Sequence, residues 1–523
     1  MSITTVLNTA TSGLMAAQLG IRTVSDNVAN ANTPGYVRKV VNQTSLVTHG
    51  VGSGVHIEGV TRVVDQYLQT ASLTAGSQAG GANVMAEMLD RMQGLFGDPG
   101  GDTGFFSGLD AALSAFGALA DDPASSLQRS QALSSLQTFF DDSKRITSSL
   151  AQTRQEADVR IQSDVNHAND LLAQIASLNV DIRHSKIGGV DSSGSENIQS
   201  QLLDELSGLV DVQAQPASAG GIVIRTKDGM LLADERGATL AYNASTTAAG
   251  YLTVTPANSG GQTFDAGFAN GELVGLLQAR NKEVPAVLGQ LAEFTAAAAR
   301  EINRAHNASS AVPAPPSLTG RATGLDLPTA LGGFSGTTTI ALLDSSNVVQ
   351  NRIDVDFTGG TMSLNGGAAT AFTPATFLAN LNAKLGANGT ASFTSGALSI
   401  AATSGGVAIQ DDATTPSMKA GQGFSQFFGM NDLIRSSAYP ADTGLSGTDP
   451  HGFTAGQTIS LRLSSPTGER LRDVTVTVPA GATMNNLLTA MNAAGTGVAP
   501  FGQFALDANG RLNFSSGSTP PAS

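Results

Sequence analysis

The chain has 523 residues, carries a net charge of −14, and contains neither cysteine nor tryptophan. An acidic chain without a lysine and arginine cluster lacks the basic surface that nucleic acid and anionic lipid require of a partner. The absence of cysteine excludes disulfides, thiolate metal sites and a cysteine nucleophile. The length predicts several domains, since one domain usually has about 100–200 residues.

Residues 1–21 do not have the pattern of a secretory signal peptide, because they lack a basic start and a continuous apolar segment. A run of about 18 apolar residues occurs nowhere in the sequence, so we expect no membrane-spanning helix. If the protein leaves the cell, the sequence predicts an export route that needs no cleaved signal.

Two series of residues spaced by seven predict an N-terminal helix with a coiled-coil-like apolar seam. The seam consists of Ile3, Leu7, Ala10, Leu14, Ala17, Ile21, Val24 and Val28. One interpretation is an amphipathic helix docked on the core of its own chain, and the other is a helix whose seam packs against helices of other copies. Gly13 and Gly20 each weaken an isolated helix by about 1 kcal/mol, so we expect order only when the helix is packed.

The segment Asn27–Tyr36 is predicted to end this helix and to redirect the chain. Pro34 cannot continue a helix, and it favours an extended backbone at Thr33. Pro34 and Gly35 suit the central positions of a type II turn, because Gly35 supplies the positive φ that the turn requires.

The same segment resembles the N-terminal signature of the axial proteins of the bacterial flagellum, the family of rod, hook and hook-associated proteins. The resemblance rests on Ser12-Gly13-Leu14 and on Asn27, Asn30, Asn32, Thr33, Pro34, Gly35 and Tyr36. At positions 26 and 28 this sequence has aspartate and valine, where the family more usually has asparagine and isoleucine. Residues 52–55 and 60–68 are also similar to the family. A phosphate-binding glycine loop is the alternative for 50–54, but neither a basic residue nor a helix start follows it.

The middle of the chain is predicted to be mainly helical, because apolar residues recur there at spacings of three and four. We expect helices at 82–97, 105–119, 125–185 (as one helix or two), 197–212 and 271–307, the last with a candidate kink at Pro285. Strands are expected at 221–225, 230–232 and 240–242, with a hairpin turn at 227–229.

This helical middle is similar to the family members that join hook to filament, and it distinguishes them from rod and plain hook proteins. The similarity rests on residues 203–210, 271–281, 301–306 and a later segment, 423–433.

After Pro313 two segments repeat one order of elements, strand–strand–helix–strand–strand. The first has strands at 339–343, 352–357, 390–394 and 396–400 with a helix at 376–385, and the second has strands at 458–463, 474–478, 503–506 and 510–514 with a helix at 485–492. Each predicts a small module in which one helix covers the apolar face of a sheet. Ligand modules for carbohydrate or adhesion are the alternative interpretation.

The predicted fold class is therefore a multidomain α+β protein with a coiled-coil-like N-terminal helix, a long-helix body with a small β part, and two outer modules. The predicted regions are the N-terminal helix and turn (1–36), the helical body (37–312), the first outer module (313–422) and the second (423–523).

A catalytic motif is absent from the sequence, and its carboxylate pairs are adjacent residues that point about 100° apart on a helix. His167 and His184 are not spaced as metal ligands, and we expect both at the surface. We therefore expect no enzymatic activity, no cofactor and no metal.

The resemblance implies a secreted structural subunit at the hook–filament junction, exported by the flagellar type III apparatus. It also implies four partners: other copies in a ring, the flagellar hook protein, the second hook-associated protein and an export chaperone. The family has a C-terminal heptad helix that pairs with the N-terminal one. The sequence shows none after residue 514, so we expect either a truncated or frame-shifted form, which we favour, or a seam that finds its partner elsewhere. Without that partner we expect the N-terminal helix to be disordered in solution. The alternatives are a secreted adhesin or carbohydrate-binding protein, the hook protein itself, and a secreted hydrolase.

Overall fold

The computed structural model describes residues 3–33, 35–48, 51–98, 100–101, 104–245, 249–436, 442–464, 470–499 and 501–517. The described residues divide into two compact units, one up to residue 291 and one from residue 292 onward. Each unit contains both helices and sheets, so the prediction of a mixed α+β fold is confirmed.

The first unit combines long helices with short antiparallel sheets. Its helices are α1 (Ile3–Ala29), α2 (Gln66–Gly94), α3 (Phe105–Asp121), α4 (Ser126–Ile187), α5 (Ser193–Leu209) and α6 (Glu272–Gln278). Its strands are β1 (Lys39–Thr48), β2 (Val51–Arg62), β3 (Gln213–Pro216), β4 (Ile222–Arg225), β5 (Leu231–Ala233), β6 (Thr239–Asn243), β7 (Tyr251–Thr255) and β8 (Phe264–Asp265). The strands form the hairpin β1–β2 and the sheets β3-β4-β5 and β6-β7-β8.

Helix α4 is the centre of the first unit. It is a single helix of 62 residues, and it begins at Ser126 because the Ser125 side chain accepts the Gln128 N–H at 3.3 Å. Its apolar residues at spacings of three and four, among them Ile161, Val165 and Leu172, are fully buried against α2, α5, α6 and the small sheets. The prediction of a long helix at 125–185 is confirmed.

Helix α2 begins 16 residues before the predicted start at residue 82, and here the prediction is wrong. Asp65 caps its first turn by accepting the N–H groups of Tyr67 and Leu68 at 2.9 and 3.1 Å. Gly80 lies in the part of α2 that was not predicted, where α2 crosses α5. A Cβ atom at Gly80 would stand 2.3 Å from the Gly208 carbonyl oxygen, so only glycine permits this approach.

Two further differences from the sequence prediction concern strands and the helix at 271–307. The hairpin β1–β2 and the strands β3, β7 and β8 were not predicted. The helix is interrupted by a π-helical segment, Ala279–Glu283, directly before Pro285. Proline lacks the N–H that a regular turn needs at this point, which is a common cause of such a bulge.

The second unit contains two α+β modules preceded by the remainder of a long helix. Its helices are α7 (Val284–Asn307, which begins in the first unit), α8 (Leu327–Leu331), α9 (Phe377–Leu385), α10 (Phe424–Phe428) and α11 (Met484–Met491). Its strands are β9 (Ser317–Thr319), β10 (Thr337–Leu343), β11 (Val349–Asp356), β12 (Thr361–Leu364), β13 (Thr370–Ala371), β14 (Gly389–Thr394), β15 (Ala397–Ala402), β16 (Gly406–Asp411), β17 (Thr458–Ser464), β18 (Arg470–Thr477), β19 (Gly502–Leu506) and β20 (Leu512–Ser516).

The first module has a five-stranded sheet, β13-β12-β11-β10-β16, and a three-stranded sheet, β14-β15-β9. Helix α9 buries Phe377, Leu381 and Leu385 in the core of the module. Residues 423–430 were assigned to the second module from the sequence, but the Phe424 and Phe428 rings lie in the core of the first. The second module contains the hairpins β17–β18 and β19–β20 with α11.

One side-chain contact recurs throughout the chain and joins helices to extended segments. An asparagine in a helix, or directly after one, donates to the carbonyl oxygen of a distant residue and accepts the N–H of that same residue. The asparagines and their partners are Asn27 with Lys39, Asn169 with Leu240, Asn179 with Ile222, Asn281 with Gly250, Asn303 with Ile434, Asn382 with Ala391, and Asn492 with Phe504. We call this contact the asparagine clamp. It fixes helix to strand without ion pairs, which suits a chain with 13% charged residues.

Candidate assembly interface

Helix α1 has two faces of opposite character, and it packs on the β1–β2 hairpin through the polar one. Ala16 and Thr23 are only 6% and 5% exposed, and Ser12, Leu19 and Asn27 lie half-buried on the same side. These positions recur every three or four residues, so they form one stripe along the helix. Apart from Leu19, the stripe consists of small or polar residues, and that permits close packing on the hairpin.

The predicted apolar seam lies on the opposite side of α1 and is exposed. Its six large residues, Ile3, Leu7, Leu14, Ile21, Val24 and Val28, are between 60% and 88% exposed, and Ala10 and Ala17 are exposed as well. The interpretation in which the seam docks on the core of its own chain is therefore wrong for the described residues. A continuous row of exposed leucine, isoleucine and valine marks a surface for association.

The first part of the family signature, Ser12-Gly13-Leu14, meets a second family segment in the hairpin. The Ser12 hydroxyl accepts the Val55 N–H at 3.2 Å and donates to the Thr9 carbonyl at 3.0 Å. A Cβ atom at Gly54 would come within 2.4 Å of the Ser12 oxygen. These two segments are 43 residues apart in sequence, so the structure brings together motif residues that the sequence could not pair.

The second part of the signature is an asparagine clamp at the end of α1. The Asn27 amide donates to the Lys39 carbonyl at 2.9 Å, and its oxygen accepts the Lys39 N–H at 2.9 Å and the Tyr36 hydroxyl at 3.0 Å. Asp26 lies 3.9 Å from the Lys39 ammonium, and that ammonium lies over the Tyr36 ring. Burial, and then the charge of Asp26, raise the pKa of Tyr36, so the hydroxyl keeps the proton that it donates.

The remaining signature residues form the turn itself. Asn30 donates to the Asp26 carbonyl at 3.0 Å and accepts from the Thr33 hydroxyl at 3.4 Å, while Asn32 is exposed. Gly35 has a φ of +73°, and the Tyr36 N–H donates to the Thr33 carbonyl at 3.1 Å. These two features agree with the predicted type II turn. Pro34 lies outside the described residues, so its part of the prediction stays untested.

Two residues that the sequence analysis did not assign to the site connect it to α5. The Arg62 guanidinium donates to the Glu196 carbonyl at 2.8 Å and to the Ser200 hydroxyl at 2.7 Å, and burial lowers its pKa. A Cβ atom at Gly35 would lie 2.7 Å from the Gln201 side chain. Arg62 thus ties the hairpin to α5, and Gln201 on α5 lies against the turn. The only signal in the sequence was that Arg62 belongs to the segment 60–68, which is similar to the family.

The described residues give no candidate for a metal site or for a membrane-spanning helix. They contain no group of three or more histidine or carboxylate side chains suited to a metal ion. None of the described helices combines the length and the apolar character needed to cross a membrane.

Comparisons with known proteins agree on one family. The sequence model of the flagellar hook-associated protein FlgK helical domain matches residues 89–312, and that of the flagella basal body rod protein matches residues 7–36. The second match covers nearly all of α1 and its turn. Flagellar hook-associated protein 1 of Salmonella typhimurium is 28% identical over 244 residues, which are 44% of this chain and 42% of that protein.

Two further relatives with the same name are similar at the same level. The Bacillus subtilis protein is 27% identical over 235 residues, covering 43% of this chain and 46% of its own length, and the Escherichia coli protein is 26% identical over 328 residues, or 58% of each chain. The chain is thus similar to flagellar hook-associated protein 1 in its helical body and to flagellar rod proteins in its N-terminal helix. The resemblance of its N-terminal signature to flagellar axial proteins is thereby confirmed.

The similarity covers only part of each relative. The chain spans about half the length of the curated relatives it matches. The flagellar hook junction protein FlgK from Burkholderia pseudomallei, a solved structure, is similar over 87% of this chain and 83% of its own, with 16% identity and a TM-score of 0.41.

Proposed function

We propose that this protein is a structural subunit of the bacterial flagellum that joins hook to filament, and that it assembles through the exposed seam of α1. The observation that carries the proposal is the orientation of α1. The helix packs its small polar stripe on its own hairpin and leaves six large apolar side chains, all at least 60% exposed, for another chain.

The seam offers enough free energy for association. Burying one leucine, isoleucine or valine side chain contributes about 1.5–3 kcal/mol, so burying the six together contributes roughly 10 kcal/mol before the entropy cost of association. The asparagine clamp and the Ser12 contact hold α1 as a helix in advance. They thereby reduce the ordering cost that a free helix of this length pays on binding.

The partners that we propose follow from the family. They are other copies of this chain in a ring, the flagellar hook protein, the second hook-associated protein and an export chaperone. The proposed location is outside the cell, at the hook–filament junction. The match of the helical-domain model to residues 89–312 supports a junction protein over the hook protein itself. The family is a structural component, so the role needs no enzymatic activity.

We also propose a division of labour along the chain. Residues 1–36 enter the wall of the tube, the helical body that follows carries contacts between subunits, and the two modules face outward. The core positions of Phe424 and Phe428 support a boundary between the modules after residue 430 rather than at 422.

The test is complementation of a bacterium whose own gene for the junction protein has been deleted. We expect Leu14→Asp/Ile21→Asp to be exported yet to leave cells without attached filaments, because charges in the seam oppose its burial. The matched control compares Leu14→Asp alone with Asn8→Asp, which adds the same charge at an exposed polar position about 120° around α1. Normal filaments with the seam variant would refute the proposal.

A further inference from the structure

Three of the asparagine clamps act on the strand at the end of a sheet. Strand β6 ends the sheet β6-β7-β8, β14 ends the sheet β14-β15-β9, and β19 forms a hairpin with β20. The clamps on these strands have hydrogen bonds of 2.7–2.9 Å and join Asn169 to Leu240 on β6, Asn382 to Ala391 on β14, and Asn492 to Phe504 on β19. The clamp therefore recurs at strands that have one open edge.

The clamp occupies the open edge itself. In an antiparallel strand the N–H and the C=O of one residue point to the same side. The Ala391 N–H donates to Asn382 and the Ala391 C=O accepts from it, both at 2.8 Å, so these two groups point away from the neighbouring strand β15. They are the groups that a further strand would need in order to pair with β14.

A serine makes the same contact on a fourth terminal strand, β16, which ends the five-stranded sheet of the first module. The Ser310 hydroxyl accepts the Ile409 N–H at 3.1 Å and donates to the Ile409 C=O at 2.9 Å. Two residues before Ile409, the Val407 N–H donates to the Pro315 carbonyl at 2.8 Å. The strands at the opposite ends of the two sheets, β13 and β9, have two and three residues. Each terminal strand of the first module is thus either short or occupied at its edge.

The clamped strands lack the features that usually prevent a sheet from accepting another strand. Proteins commonly use charged residues, proline or a β-bulge at such an edge. Strands β6, β14 and β19 contain neither a charged residue nor proline, and they pair with their neighbours without a shift in register. Uncharged strands of this kind are the ones that readily pair between chains.

We propose that the clamps on terminal strands, together with the Ser310 contact, prevent copies of this chain from pairing through their sheets. The strand that they exclude is the terminal strand of a second copy, because it carries the same uncharged sequence and the same backbone groups. Clamps away from a terminal strand, such as that of Asn303 on Ile434, only join two segments. This difference between the two kinds of clamp makes the proposal testable.

Disulfide crosslinking of the full chain, which has no cysteine of its own, is the test. Ser392 is exposed on β14, and pairing of two β14 strands through Ala391 and Phe393 puts the two residues 392 opposite each other. Their Cα atoms are then about 4.5 Å apart, a distance that a disulfide can bridge. We expect Ser392→Cys/Asn382→Leu to give about tenfold more linked dimer than Ser392→Cys alone.

The matched control is Ser392→Cys/Asn303→Leu. It loses a clamp in the same unit by the same substitution but keeps the edge of β14 occupied, so its yield should equal that of Ser392→Cys alone. A second control adds Thr390→Lys, at an exposed position of β14, to Ser392→Cys/Asn382→Leu. The lysine opposes strand pairing without restoring the hydrogen bonds to Ala391. The yield should therefore return to that of Ser392→Cys, while the urea midpoint stays as low as that of Ser392→Cys/Asn382→Leu.

Strand β16 provides an independent arm with a milder change. Ser310→Ala removes one oxygen atom, and Gln410→Cys reports from an exposed position on β16. We expect more linked dimer from Gln410→Cys/Ser310→Ala than from Gln410→Cys alone. A missing increase at either strand, an equal increase with Asn303→Leu, or an increase that persists with Thr390→Lys would each overturn the proposal, since the contacts would then only stabilise the fold.

Discussion

The clamp at the end of α1 leads to the most detailed prediction, the effect of Asn27→Ala. The substitution removes three hydrogen bonds: two to the backbone of Lys39 and one from the Tyr36 hydroxyl. Each bond contributes about 0.5–1.5 kcal/mol net. Because the groups are half-buried and water replaces part of the loss, we expect local opening of the turn to become easier by about 2 kcal/mol.

The direct assay is hydrogen exchange of the Lys39 amide, which donates to Asn27. A change of 1.4 kcal/mol is a tenfold change in an equilibrium, so exchange should be faster by a factor of roughly 30. The control is Asn32→Ala, an exposed position in the same turn, which should leave the Lys39 rate unchanged.

A second variant separates the hydrogen bonds from packing. Asn27→Asp keeps the shape and the acceptor oxygen but loses the donor to the Lys39 carbonyl, so Lys39 should also exchange faster near neutral pH. Below the usual carboxyl pKa of about 3.9 the protonated acid regains an O–H donor and part of the protection, relative to the wild type at the same pH. Unchanged Lys39 exchange in Asn27→Ala would refute the reasoning that the clamp holds the turn.

Two further predictions concern the interiors of the two units. Gly80→Ala should lower the free energy of unfolding of the first unit by about 1–2 kcal/mol, because the new methyl group meets the Gly208 carbonyl at 2.3 Å; Gly13→Ala, with open space around it, should instead stabilise α1 by up to about 1 kcal/mol. Urea unfolding checks both, and equal effects would contradict the crossing at Gly80. The buried Lys419 ammonium donates to the carbonyls of Thr329 and Ala330, and burial lowers its pKa from 10.5 to about 8. Between about pH 8 and pH 10.5 the unfolded chain then binds more protons than the folded one, so the free energy of unfolding of the second unit should rise with pH across this window. The Lys419→Met variant should lack this rise. Parallel pH profiles of the two proteins would contradict the lowered pKa of Lys419.

Local patterns in the sequence predicted the regular elements well, because these depend on neighbouring residues. The end of α1 at Ala29 follows from asparagine and turn chemistry at residues 30–36, and the start of α11 follows from Thr483, which forms a capping box with Asn486. The repeat was visible because both modules alternate apolar and polar residues in the same order.

Contacts between distant residues could not be predicted, and they determine most of the candidate site. Asn27 looked like a helix-ending residue, and nothing in the sequence identified Lys39 as its partner. Nothing in the sequence identified Gly208 as the neighbour of Gly80, because their close approach is a tertiary feature. The seam of α1 was visible as a heptad pattern, but whether it faced its own core or solvent depended on the hairpin, which was not predicted.

The central claim is that the seam of α1 packs against other subunits in the assembled flagellum, and cysteine crosslinking tests it most directly. The chain has no cysteine, so any disulfide that this chain forms must involve the single cysteine that is introduced. Leu7→Cys lies in the seam, and Asn8→Cys is exposed but about 100° around the helix. With oxidation of intact flagella, the account predicts covalently linked subunits for Leu7→Cys and none for Asn8→Cys. Crosslinks of equal yield at both positions, or at Asn8→Cys alone, would contradict it.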